Sequence, residues 1–139
     1  MVPPRFRNPQ AAALVQRTKD LAIAVLRLSR RLMSSEVGRV IARQVMRSAT
    51  STSAAANYRA ACRCRSRREF VAKISLVVEE CDETDFWLDL ISELNLAPAS
   101  ELRGLVQEAG ELLAVFLASR MTARGRMTPQ GGRSTFPNS

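Results

Sequence analysis

Apolar side chains recur along most of this chain at alternating spacings of four and three, the pattern of helices that bury one face. Leu14, Thr18, Leu21, Val25, Leu28 and Leu32 make the first such seam, opened by Asn8-Pro9 as an N-cap with proline at the first helical position. The seam predicts a helix of about 24 residues, with Arg17, Lys19, Arg27, Arg30 and Arg31 off the apolar side. Ser34-Ser35 can cap a second helix, whose apolar face begins with Val37, Ile41 and Val45. Past Gly38 nothing interrupts it until about Arg65. From 48 to 61 this face consists almost wholly of Ala, Ser and Thr, which let a neighbouring backbone come close.

Ser66-Arg-Arg-Glu69 ahead of Phe70 reads as a capping box, the serine bonding the amide three residues on and the glutamate reaching back. Phe70, Ile74, Val77, Cys81, Thr84, Leu88 and Ile91 then predict a third helix ending near Asn95. Pro98 and Glu101 open a fourth along Leu102, Leu105, Ala109, Leu112 and Phe116, ending near Met121. Short connections force neighbouring helices to run in opposite directions. The expected fold is therefore all-α, an antiparallel up-down-up-down four-helix bundle over 9–121. A basic lead-in at 1–8 precedes it, and an Arg/Gly/Pro/Ser tail at 122–139, expected to be disordered, follows it.

The length of 139 residues suits one domain with its own core. Net charge is +8, but its distribution is uneven. Residues 1–78 carry sixteen Lys/Arg against three acids, residues 79–118 carry one Arg against ten acids, and the last 21 residues add four Arg. Such a basic surplus points to a polyanion such as nucleic acid. The competing reading lets the acidic segment neutralise the basic one, within the fold or across a subunit contact.

Candidate chemistry is sparse. There is no histidine, so no serine has an activating imidazole and the Glu-x-x-His pairs of di-metal bundles are missing; no cofactor, metal site or catalytic activity is expected. Glu79, Glu80, Asp82, Glu83 and Asp85 read as solvated or salt-bridged acids. Cys62 and Cys64, two apart on a predicted helix, diverge and bridge poorly, so free thiols in a reducing cytoplasm are expected for all three cysteines. The longest apolar run, 112–118, falls far short of the roughly 18 residues that suggest a membrane span.

What stands out are arginines. Arg39, Arg43 and Arg47 are spaced by four along the second helix; Arg59, Arg63 and Arg67 repeat that spacing at its far end, with Arg65 and Arg68 beside them. Like charges so placed repel mildly and suit an anion opposite, either phosphates or the acidic row Asp82, Asp85, Asp89 and Glu93. The row from Arg39 leans towards the internal acids, and the cluster at 59–68 towards a polyanion. Few aromatics accompany them, so contacts to backbone and shape are favoured over base stacking. Ser51, Ala55, Asn57, Tyr58 and Trp87 are the candidates for helix packing and subunit contact.

Arg47-Ser48-x-Thr50-Ser51, Ala56-Asn57-Tyr58-Arg59, Ser66-x-x-x-Phe70-x-x-Lys73, Glu79-Glu80-x-x-Glu83-x-x-x-Trp87-Leu88-x-Leu90, Glu111-Leu112-Leu113 and Thr122-Ala123-Arg124 together resemble the bacterial four-helix-bundle proteins related to the 23S rRNA intervening-sequence protein, over roughly 10–124. The resemblance implies a small cytoplasmic bundle that assembles as a homopentamer with basic surface suited to RNA or DNA. It extends to the accessory variability proteins of diversity-generating retroelements, which bind nucleic acid and a reverse transcriptase. Ala60 stands where the family commonly has glutamate, and Thr52-Ser53-Ala54 where it often has Val-Gly. The expected function is a non-enzymatic, rRNA-related nucleic-acid-binding oligomer. The alternative is a protein-interaction scaffold or accessory subunit, for example a partner of a reverse transcriptase.

Overall fold

The computed structural model describes residues 9–50 and 54–125. Five helices and no strands occur among them: α1 Pro9–Leu32, α2 Glu36–Ala49, α3 Ala54–Ala61, α4 Arg67–Glu93 and α5 Ala99–Gly125. The predicted second helix is thus two helices. Its break begins at Thr50, the C-cap of α2, whose hydroxyl donates to the Met46 carbonyl and so competes for a backbone group. Small side chains there also offer no apolar contrast by which periodicity could signal a stop. The fourth predicted helix runs four residues past Met121, to Gly125. The lead-in at 1–8 and the tail from 126 lie outside the described residues.

Local chemistry sets the other boundaries. Ser35 caps α2, its Oγ accepting the Gly38 amide at 3.0 Å. Ser66 caps α4 by accepting the Glu69 amide at 3.1 Å, while Glu69 Oε2 reaches back to the Arg65 amide at 3.4 Å, one residue beyond the usual capping-box partner. At the far end of α4, Asn95 takes a left-handed conformation with φ 53°, and the Leu96 and Asn95 amides bond the carbonyls of Ile91 and Ser92. That is a Schellman stop with asparagine in the position glycine usually holds.

Gly38 holds the tight turn between α1 and α2. A β-carbon built there would lie 2.0 Å from the Leu32 carbonyl oxygen and 2.7 Å from Ser35 Oγ. Gly38→Ala must therefore open the turn, and it is expected to lower stability by about 1–3 kcal/mol, measured by urea unfolding followed by circular dichroism. A stability equal to or above that of the wild type would contradict this reading of the turn.

α1 packs on α2, α3 and α5; α4 packs on the same three; α1 and α4 make no close backbone approach among the described residues. They occupy opposite corners. Arg17 pairs with Glu108 and Glu111, and Arg31 with Glu101, so α1 and α5 run antiparallel. Ser48 and Thr84 meet hydroxyl to hydroxyl at 3.0 Å inside the α2–α4 contact. The core is the predicted seams: Val25, Leu28, Val45, Ile74, Val77, Leu88, Ile91, Leu112 and Phe116 are fully buried. Phe70, Leu14 and Leu105 sit at its margin, partly exposed. Since α1 and α4 start at one end and α3 and α5 finish there, that end gathers the first residues of α1, the α3–α4 junction and the last turn of α5.

Candidate nucleic-acid interface

The α3–α4 junction is built on Tyr58 and Ala61. Both are buried, and the Tyr58 ring lies 4.7 Å from that of Phe116 on α5. Burial, with the Cys62 thiol alongside, pushes the Tyr58 hydroxyl far above its ordinary titration range. Beyond Ala61 the chain unwinds through the tight bonds Arg63 N to Ala60 O at 3.0 Å and Cys64 N to Ala61 O at 3.1 Å, then restarts at Ser66. Cys62 and Cys64 therefore lie in a turn and not on a helix; like Cys81 they are free thiols. Cys81 is deep in the core, where burial pushes its thiol up to about 12.

With its inner side anchored, the junction turns its arginines outward. Arg59, Arg63, Arg65, Arg67 and Arg68 are all exposed. None makes an ion pair among the described residues. The one acid within the stretch, Glu69, is bonded to the Arg65 backbone amide. Cys64, half-buried beside Lys73, bonds the Ala60 carbonyl at 3.4 Å.

The row Arg39, Arg43, Arg47 divides. A step of four residues advances about 40° around a helix, so two steps turn the row by about 80°. Arg47 lands over α4, where it pairs with Glu83 and sits 3.7 Å from Glu80 Oε2. Arg39 lands near the end of α1, its Nη1 donating to the Met33 carbonyl at 3.4 Å. Arg43 is exposed with no ion pair among the described residues. The internal partners of Arg47 are thus Glu80 and Glu83. The predicted row Asp82, Asp85, Asp89, Glu93 is rotated away, and Asp89 lines an open groove against α5 with Arg103 and Gln107. Periodicity alone hides the two glutamates; the available signal is Trp87, four residues after Glu83, whose Nε1 donates to Glu83 Oε1 at 3.2 Å. Burial, then the neighbouring Glu83, raises the Glu80 carboxyl above its usual range, with Arg47 opposing.

Of the packing candidates, Tyr58 belongs to the core and Trp87 is half-buried, its ring edge-on to Phe86 at 5.1 Å. Asn57, half-exposed on α3, has bonding partners. Ser51 and the Ala55 side chain lie outside the described residues. No group of three or more thiols and carboxylates among those residues is placed to hold a metal ion. No helix among them is long and apolar enough to cross a membrane.

A family model described as the 23S rRNA-intervening sequence protein matches residues 10–117. The chain belongs to this family. A crystal structure of a protein of unknown function from the S23 ribosomal protein family of Bacteroides thetaiotaomicron shares the fold, at 22% identity and a TM-score of 0.70, covering 77% of this chain and 97% of that one. No curated protein matches.

Proposed function

We propose that this member of the family is a non-enzymatic, cytoplasmic bacterial protein that binds nucleic acid, RNA related to the ribosome foremost, through the phosphate backbone. In this reading α2 and α3 together form one leg of an up-down-up-down four-helix bundle, and the bundle assembles as a homopentamer. The observation that carries it is the junction: five exposed arginines within ten residues, none ion-paired among the described residues. Guanidinium forks hold phosphate oxygens bidentately, and a ring of such ends multiplies weak contacts by avidity. Arg39 and Arg43 add positive surface on a different side, whereas Arg47 is occupied by Glu83.

Binding of a structured RNA, followed by fluorescence anisotropy across 50–300 mM salt, tests this. Each phosphate neutralised contributes a slope of about 0.9 in log affinity against log salt, so a steep negative slope is expected. Undetectable binding at low salt, or affinity flat with ionic strength, sinks the reading. In that event a pull-down that survives nuclease and recovers one protein, such as a reverse transcriptase, would point to the scaffold alternative.

A further inference from the structure

Two helices carry a second stripe that the core does not use. On α1, Lys19, Ile23, Leu26 and Arg30, followed by Met33 in the turn just past its end, are spaced by four, three, four and three, and all are exposed; Ile23, Leu26 and Met33 are 37%, 41% and 39% exposed. Arg39, bonded to the Met33 carbonyl, extends the stripe's positive charge onto α2. On α4, Glu79, Asp82, Phe86, Asp89 and Glu93 are spaced by three, four, three and four, again all exposed, with Phe86 58% exposed and in a T-shaped pair with Trp87. Each stripe covers fifteen residues, fourteen steps and a helical rise of about 21 Å, the α1 stripe ending one residue past its helix.

The stripes match in length and oppose in sign. One has apolar side chains at its centre between Lys19 and Arg30; the other has Phe86 at its centre between two pairs of acids. None of these charged groups makes an ion pair among the described residues. Asp85, beside the acidic stripe, is raised by burial and then by Asp82 and Asp89, so like charges crowd there without relief. A chain has no means of joining its own stripes, because α1 and α4 stand at opposite corners.

We propose that the α4 stripe of one copy docks on the α1 stripe of a second copy, in a head-to-tail contact. This rests on the self-assembly part of the reading above and deepens it by naming the surfaces. The occupant is a second copy because the complementary pattern, acids around an aromatic against bases around aliphatics, is carried by this chain itself. A contact between two different surfaces repeats from copy to copy and closes as a ring when the rotation allows. It also leaves the junction arginines out of the interface, open to a polyanion.

Light scattering on nuclease-treated protein provides the test. One variant reverses the acids (Asp82→Lys, Asp89→Lys, Glu93→Lys), another the bases (Lys19→Glu, Arg30→Glu, Arg39→Glu), and a third carries both sets in one chain. All six sites are exposed, and circular dichroism checks that each variant stays helical. Each single set places like charges face to face and is expected to weaken association by at least about 100-fold, giving monomers. The chain carrying both sets, its polarity inverted, is expected to regain the wild-type mass. The proposal is overturned if either single set leaves the mass unchanged, if the double set fails to restore it, or if the wild type is a monomer. Wild-type protein that assembles through these stripes yet ignores RNA would overturn the nucleic-acid reading alone.

Discussion

Replacing Arg63, Arg65 and Arg67 together by glutamate is expected to cut affinity for structured RNA at 0.1 M salt by roughly 500-fold or more. A slope of 0.9 per phosphate makes each contact worth about eightfold between 1 M and 0.1 M salt, and three such contacts multiply. The same loss should flatten the log–log salt slope by about 2.7. The three side chains are exposed and make no ion pair among the described residues, so helicity and thermal midpoint should hold. Arg103→Glu, near the start of α5 at the other end of the molecule, serves as a single-site reversal away from the junction and should cost less than the roughly eightfold expected of one junction arginine. If the triple variant keeps both the affinity and the slope of the wild type, the junction is not where a polyanion binds.

Phe116→Ala carries the largest expected effect on stability. The ring is fully buried and lies against Tyr58, 4.7 Å between centroids, so truncation removes apolar burial and leaves a cavity. Such changes cost about 3–5 kcal/mol, a large share of the 5–15 kcal/mol typical of a domain. For a chain of this size the thermal midpoint should fall by about 10–20 °C, read by circular dichroism. Val40→Ala, at a position 60% exposed, is the comparison and should stay within about 0.5 kcal/mol of the wild type. A drop for Phe116→Ala no larger than that of Val40→Ala would mean the core does not centre on this ring. Because Tyr58 also anchors the junction, some RNA affinity should be lost with the packing.

Three long helices were legible because each alternates large apolar and charged side chains, so the seam through Val25, Ile74 or Leu112 could be read without a structure. Ser66 and Glu69 marked a helix start by chemistry as well as by period. The break after α2 was hidden, since Ala, Ser and Thr differ too little in size and polarity to show which face is inward. The arginine ladder was legible as residues but not as partners. Identical spacing along one helix says nothing of the neighbours it precesses past, so Arg47 meeting Glu83 and Arg39 meeting the Met33 carbonyl just past α1 are tertiary facts. The accessory stripe on α1 was present in the sequence, in the same rhythm as the core seam; only packing separates the two.

Both the start of α1 and the finish of α5 lie at the arginine end of the molecule, while the turns at 33–35 and 94–98 lie at the other. A reporter domain joined directly to Pro9 or to Gly125 therefore stands beside the arginines and obstructs whatever approaches them. A fluorophore or inserted epitope at 94–98 leaves that approach clear. The same geometry suits circular permutation: a linker joining Pro9 to Gly125 crosses one end only, and new termini opened at 94–98 preserve every described helix.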